Sequence, residues 1–447
     1  MSHAHFMEIL DIMVQETDVR EVETAAMSLP VSIDDVRAAH ERIRASIVRT
    51  PTLLSKTLSK IVGADVYLKF ENLQFTAAYK ERGALNRLLL LSDEAKGRGV
   101  IAASAGNHAQ GLAYHGARLG LPVTIVMPTS TPTIKVAQTQ GHGATVVLHG
   151  DTFDEANAYS RVLEKERGLT YVHPFDDPDV IAGQGTVALE MLEDAPQIDT
   201  LVVPVGGGGL ISGCTIAAKA VKPGIKVIGV QSNRYPALYS LKTGKQIEGG
   251  GDTLAEGIAV KFPGQLSSQF VVQLVDEMRI VNESIIESAI SLLLDIEKTV
   301  VEGAGAAALA TLLPTKDGNP RPEFAGRTIG IVLSGGNIDP RFLANVILRN
   351  LARSGKIGRL SIVLPDKAGA LMEVAGIFTR FDANIIEVAH QRVFGVPSAK
   401  STTTEIEYEI KDPQAAMALE QALSDAGYSF DRLTISGTRK GPRGSRG

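Results

Sequence analysis

Residues 201–222, LVVPVGGGGLISGCTIAAKAVK, set five apolar residues against four consecutive glycines and then a helical run. A continuous apolar run ending in a tight turn reads as a strand covered on both faces, with the glycines leading straight into a helix. The same alternation fills residues 32–345. Further strand-like runs are VYLKF at 66–70, VTIVM at 123–127, TVVLH at 145–149, KVIGV at 226–230 and TIGIVL at 328–333. Helical stretches at 107–119, 153–167, 210–220 and 283–298 lie between them. This pattern predicts an α/β fold of doubly wound parallel type. Its length calls for two open-sheet subdomains, the smaller at roughly 75–165, with a ligand cleft beyond the carboxyl ends of the strands.

The pattern changes after Gly355. RLSIVLPD reads as a strand, ALMEVAGIFTRF as a helix, and NIIEVAHQRVF and STTTEIEYEI as two more strands. DPQAAMALEQALSDAG is helical, with Asp412 as cap and Pro413 in the first turn, and YSFDRLTI closes the segment as a strand. The order β-α-β-β-α-β is ferredoxin-like. The expected organisation is therefore an extension at 1–30, a catalytic domain at 31–353, a second domain at 357–437 and a disordered basic tail at 438–447.

Composition excludes several functions. A net charge of −5, aromatic content of 5% and no tryptophan give neither an electrostatic footprint nor stacking platforms for nucleic acid. Cys214 is the only cysteine, which rules out intrachain disulfides and cysteine-based metal clusters and suits a reducing compartment. The sequence holds no apolar run long enough to span a bilayer, and the acid-rich N-terminus resembles neither a transit peptide nor a secretory signal. A cytoplasmic location is expected, with no membrane or nucleic-acid partner.

Four glycine-bearing turns carry the chemistry. The amides of Gly206, Gly207, Gly208 and Gly209 can converge on one anion at a helix N-terminus, where the dipole favours negative charge. The turn lacks the lysine of a Walker loop and the spacing of a dinucleotide fingerprint, so a compact phosphate monoester fits better than a nucleotide. A merely tight turn is the alternative. Ser104-Ala105-Gly106-Asn107-His108 follows the run VIAA. Its amides suit a carboxylate, with ordinary capping by Ser104 or Asn107 as the simpler alternative. Ser334-Gly335-Gly336-Asn337 can offer a neutral hydroxyl to a ring nitrogen, and Glu256-Gly257-Ile258-Ala259 is the fourth turn.

In TAAYKERGAL, residues 76–85, Lys80 stands on the first turn of a helical pattern beside apolar neighbours. Desolvation there disfavours the ammonium form and leaves the amine as a nucleophile toward an aldehyde. No cluster has metal-ligand spacing, so no metal is expected. A lysine nucleophile, a phosphate cradle and polar groups around a ring together specify pyridoxal 5'-phosphate.

On these residues the chain resembles the fold-type II pyridoxal-phosphate enzymes, and among them the threonine ammonia-lyases. The resemblance is carried by KFENLQ at 69–74, YKERGA at 79–84, SAGNHAQG at 104–111, AGQGT at 182–186, VPVGGGGL at 203–210, AEGIAV at 255–260, EGAGA at 302–306 and VLSGGN at 332–337. It implies Lys80 as the lysine that binds the cofactor's aldehyde and then removes the substrate's α-proton, with Tyr79 beside it. It also implies Gly206, Gly207, Gly208 and Gly209 at the phosphate with Gly257 nearby, Asn107 at the phenolic oxygen and Ser334 at the pyridine nitrogen. Ser104, Ala105, Gly106, Asn107 and His108 would surround the substrate carboxylate.

The implied reaction is β-elimination of L-threonine to 2-oxobutanoate and ammonia. A serine or 3-hydroxyaspartate dehydratase is the alternative within the fold, and an inactive amino-acid sensor the alternative outside enzymes. The related serine racemases usually carry serine at the position of Ala105, whose methyl has no proton to give, so the lyase is favoured. This chain departs from the family at Ala77-Ala78-Tyr79-Lys80, where Gly-Ser-Phe-Lys is common, and so loses a hydroxyl near the cofactor. Gln231 stands where some relatives place a metal-binding glutamate, so no divalent ion is expected there either.

The C-terminal segment resembles an ACT domain, an amino-acid-sensing module. The resemblance makes Asp366 and Gly369 its ligand turn and Asn384 and Ile385 the facing strand start, with dimerisation without ligand as the alternative. An amino-acid effector, isoleucine if the enzyme feeds branched-chain synthesis, would need a coupling free energy to the distant Lys80. A homo-oligomer, dimer or tetramer, is expected.

Overall fold

The computed structural model describes residues 29–315, 317–392, 398–435 and 437–440. All but the last two residues of the expected N-terminal extension lie outside them, as does the tail from residue 441.

Among the described residues, ten strands build two sheets: β1 (Thr52–Leu54), β2 (Asp65–Lys69), β3 (Val100–Ala103), β4 (Val123–Met127), β5 (Thr145–Leu148), β6 (Thr170–Tyr171), β7 (Thr200–Pro204), β8 (Lys226–Ser232), β9 (Glu277–Val281) and β10 (Thr328–Val332). The larger sheet has the order β1-β2-β10-β7-β8-β9 and the smaller β5-β4-β3-β6. All pairings are parallel except β1 with β2. Every residue of β3, β4 and β7 is buried, as continuous apolar runs require when helices cover both faces. The two sheets turn the carboxyl ends of β3, β7 and β10 toward one cavity, and three of the four chemistry-bearing turns, at 104–108, 206–209 and 334–337, follow those ends.

Helix Pro178–Asp194 is the beam between the sheets. Asp177 caps it by accepting from the amides of Asp179 and Val180, and Pro178 fills a first-turn position that needs no N–H. It packs against helices Lys80–Leu89 and Gly209–Val221, the two that begin at the site. A Cβ on Gly183 would stand 2.7 Å from the Gly83 Cα, so paired glycines let these backbones touch.

Helix Pro340–Arg353 leads from the 334–337 turn into a third sheet. Its strands are β11 (Ile357–Pro365), β12 (Asn384–Gln391), β13 (Ser401–Glu409), β14 (Ser429–Thr434) and β15 (Gly437–Lys440), in the order β12-β13-β11-β14-β15 and all antiparallel. Leu360, Ile362, Ile406, Tyr408 and Phe430 face Val374, Phe378, Leu419 and Leu423 of the two helices that cover it. This is the expected ferredoxin-like order. The tail is corrected at its start, because residues 437–440 pair with β14 as a short edge strand.

Candidate active site

Lys80 opens helix Lys80–Leu89. The loop before it is stitched to the turn after β10. Ala78 bridges to Gly335, Tyr79 N donates to Ser334 O at 3.1 Å, and Gly336 N donates to Ala77 O at 2.8 Å. Lys80 Nζ donates to Pro174 O at 2.6 Å. Burial lowers its amine to about 8, while the nearby Glu302 pulls it back up. Such an amine is partly neutral near neutral pH, as a nucleophile and proton acceptor must be.

Lys80 faces a cavity of about 750 Å³, lined also by the 104–108 turn, Glu302, Ser334 and Asn337. A nook of about 30 Å³ lies beside it, bounded by Tyr79, Lys80, Phe175 and the 206–209 loop. Among the described residues the amides of Gly206, Gly207, Gly208 and Gly209 have no acceptor. Gly208 has φ +101°, and a Cβ on Gly207 would overlap the Phe175 ring. Bare, converging amides at the start of a helix fit a phosphate. Ser267 fixes the loop from outside: its Oγ donates to Gly207 O at 2.5 Å and its N to Asp176 Oδ1 at 2.9 Å.

The other expected contacts converge on the same cavity. The Ser334 hydroxyl has no partner among the described residues and is free for a ring nitrogen. Asn107 Nδ2 donates to Glu302 Oε1 at 2.7 Å, and Asn107 Oδ1 accepts from Asn337 Nδ2 at 2.7 Å. The amides of Asn107 and His108, at the start of helix Asn107–Arg118, also lack acceptors among the described residues, as a carboxylate site requires. The His108 ring is held aside, with Nε2 3.0 Å from Val172 O, and burial lowers it to about 3. Only its backbone suits substrate. Gly257 lines both spaces, and burial pushes the Tyr79 phenol up.

Two features went unread in the sequence. The segment HPFDD at 173–177 has no periodic signal because it is a loop after the two-residue β6. It brings Pro174 O to Lys80, the Phe175 ring over Gly207, and His173 to the cavity wall. His173 Nδ1 accepts from Phe175 N at 3.3 Å and Asp176 N at 2.8 Å, which leaves Nε2 as the donor. Burial lowers this ring to about 4, so it stays neutral at working pH. The second feature is Glu302, visible only as the first letter of EGAGA. At the cavity mouth Lys135 and Glu256 pair at 2.5 Å.

Free amides, a free hydroxyl and a desolvated lysine thus fit the phosphate, ring nitrogen and aldehyde of pyridoxal phosphate. Residues 43–335 match the family described as pyridoxal-phosphate dependent enzyme. The chain belongs to the pyridoxal-phosphate dependent enzymes. Its cofactor is accordingly pyridoxal 5'-phosphate.

Relatives narrow the neighbourhood. An L-threonine ammonia-lyase of Thermotoga maritima is 42% identical over 401 residues, 89% of this chain and 98% of the relative, so the likeness continues past residue 335. Among solved structures, maize serine racemase has a TM-score of 0.66 and 34% identity, covering 72% of this chain and 98% of that one. The processed form of threonine deaminase isoform 2 from Solanum lycopersicum has a TM-score of 0.64 and 37% identity, covering 70% and 87%.

Gln231 is engaged by protein: its Oε1 accepts from Tyr239 N at 2.7 Å and its Nε2 reaches Gly206 O at 3.5 Å. In the third sheet, Asp366 and Gly369 do not face Asn384 and Ile385 within one chain. Pro365 pairs with Ser401 and Asn384 with Glu409, at opposite ends of β13. The crossover through helix Ala370–Arg380 returns the chain before β12 begins, so within one chain the two pairs are kept apart.

Proposed function

We propose that the protein is an L-threonine ammonia-lyase: water is eliminated from L-threonine and taken up again as the released enamine hydrolyses, leaving 2-oxobutanoate and ammonia. Lys80 carries the reading: a desolvated amine near 8 on the wall shared by the glycine loop, the 104–108 turn and Ser334. The amides of the 206–209 loop would hold the cofactor phosphate, Ser334 its ring nitrogen and Asn107 its phenolic oxygen. When bound, the cofactor supplies an electron sink for the pair left on the α-carbon. The amides of Asn107 and His108 orient the substrate carboxylate, and Lys80 Nζ takes the α-proton. Ala105 lines the cavity with a methyl group and offers no proton to the opposite face, which favours elimination over racemisation. The neutral Ser334 hydroxyl works in the same direction, since it does not protonate the ring. The Thermotoga relative supports threonine as the substrate.

The third sheet is read as an amino-acid-sensing unit at residues 357–437, with isoleucine as the natural effector if the enzyme feeds branched-chain synthesis, in a cytoplasmic homo-oligomer.

The test is to incubate purified, cofactor-loaded protein with threonine, serine and 3-hydroxyaspartate and to identify the 2-oxo acid. We expect 2-oxobutanoate from threonine as the preferred product. A methyl group is worth only about 1–3 kcal/mol in a pocket, so a preference for serine or hydroxyaspartate would reassign the substrate and keep the chemistry. No product from any of them, in a colourless protein that borohydride does not modify, overturns the enzyme reading. Isoleucine and valine in the same assay test the sensing role, and unchanged kinetics would remove it.

A further inference from the structure

Glu302 lies outside the four turns, yet three of them close around its carboxyl group. It caps helix Gly303–Ala310 without a side-chain cap bond. Its carboxyl turns into the cavity instead, where Oε1 accepts from Asn107 Nδ2 at 2.7 Å. Its backbone N donates to Gly335 O at 3.0 Å. A Cβ on Gly335 would overlap Glu302 Oε1 and stand 3.1 Å from Asn107 Nδ2, and one on Gly257 would stand 3.3 Å from the same oxygen. Two glycines from two different turns therefore leave the space that this carboxyl fills.

The hydrogen bonds around it have one direction. Asn337 Nδ2 donates to Thr76 O at 2.8 Å and to Asn107 Oδ1 at 2.7 Å. The same nitrogen makes a longer approach of 3.4 Å to Gln110 Oε1; an amide nitrogen only donates, so Asn107 Oδ1 accepts from it and Asn107 Nδ2 is left to donate. Glu302 takes one of the two Nδ2 hydrogens. The other is what Asn107 has left to offer the cavity.

We infer that Glu302 is a positioning residue for the bound cofactor: by accepting from Asn107 it locks that amide as a donor, which selects an ionised oxygen on the ring. The inference rests on the pyridoxal-phosphate site proposed above. The charged groups facing the carboxyl are Glu256 on the turn Glu256–Ile258, Lys135 on helix Thr133–Gly141 and Lys80. Burial raises Glu302 to about 7; the Asn107 bond opposes that, Glu256 adds to it, and Lys135 and Lys80 oppose it. Below this pH the carboxyl is neutral and one of its oxygens is itself a donor. Above it the carboxylate only accepts, so the lock on Asn107 tightens as pH rises through about 7.

The experiment reads the visible absorbance of substrate-free holoenzyme across pH, together with the rate of cofactor loss on dilution. The native protein should show an absorbance step near pH 7. Glu302→Gln keeps an acceptor oxygen but cannot ionise, and the step should vanish. Glu302→Ala leaves the Asn107 amide held by Asn337 alone, and cofactor loss should quicken by about two- to tenfold, the range of one net hydrogen bond. In an Asn107→Ala background, Glu302→Gln should change neither readout further, because the effect passes through Asn107. A flat native titration, a step that survives Glu302→Gln, or additive effects with Asn107→Ala each overturn the inference. Glu302→Gln carries the test alone if Glu302→Ala fails to fold. A protein that takes up no coloured cofactor sinks the proposed function with it, whereas a coloured protein with a flat titration sinks this inference alone.

Discussion

The two turns that meet at Lys80 are built in opposite ways. The 206–209 turn is shaped by what its residues lack: Gly208 sits at φ +101°, and a Cβ on Gly209 would stand 2.7 Å from Phe175 O. The 77–80 turn is shaped by side chains brought from far along the chain. Glu81 accepts from Thr76 N, and its other oxygen lies 3.2 Å from His115 Nε2. Fully buried Arg82 donates to Glu71 and Glu190, each through bonds of 2.8 Å, and Lys69 Nζ donates to Glu190 at 2.7 Å. An anion cradle needs bare amides, which four consecutive residues can supply. A nucleophile that must be both desolvated and fixed needs a scaffold, and the scaffold comes from elsewhere in the sequence.

The strongest way to break this contrast is to remove a tie from the second turn. Arg82→Ala leaves Glu71 and Glu190 buried without their guanidinium, and breaking a buried pair costs about 3–5 kcal/mol. Urea unfolding should show a loss of that size. The pH dependence follows with its sign. Burial pushes the Glu190 carboxyl up, but Arg82 and Lys69 more than offset it and hold it at about 2. Its stabilisation is therefore present above the ordinary carboxylate range and lost as pH falls toward 2. Arg82→Ala should weaken that acid dependence. If its urea midpoint stays native, the scaffold account of the Lys80 turn is wrong.

A smaller effect is expected at the glycine turn. Gly207→Ala drives a methyl into the Phe175 ring, and overpacking of that kind costs about 1–3 kcal/mol. The loop must shift to make room, so the loss should fall on cofactor affinity, about ten- to a hundredfold in equilibrium dialysis. Native affinity in this variant would mean that the amides of the loop are not the cradle.

The same contrast explains what the sequence disclosed. Parallel strands such as β7 are continuous apolar runs ending at glycine, so the larger fold and the phosphate loop can be read locally. Lys80, Asn107 and Ser334 stand on strand-to-helix turns and could be placed at one cleft from topology alone. The Lys80 scaffold could not, because Glu71, Arg82 and Glu190 look like ordinary charged residues until the fold buries them together. HPFDD and Glu302 escaped for a related reason: a loop has no period, and a carboxyl's orientation is a three-dimensional fact. In the third sheet the strand order was legible, but the separation of Asp366 from Asn384 follows only from register.

The smallest expected effect concerns the residue that looked anomalous in the sequence. Ala77 has φ +55°, a left-handed conformation that costs an L-residue about 1–2 kcal/mol. Glycine would relieve that strain. It would also enlarge the unfolded ensemble, an opposing term of about 0.4–1 kcal/mol. Ala77→Gly should therefore stabilise the protein by at most about 1.5 kcal/mol in urea unfolding. Turnover should stay close to native, because the Ser334, Gly336 and Pro174 backbone contacts hold the turn and the Lys80 amine without help from position 77's side chain. A clear gain in stability would show that the scaffold holds Ala77 under strain. A loss as large as the entropy term would show the opposite: that the left-handed turn costs alanine nothing here, and that the distant side chains shape the loop without forcing it.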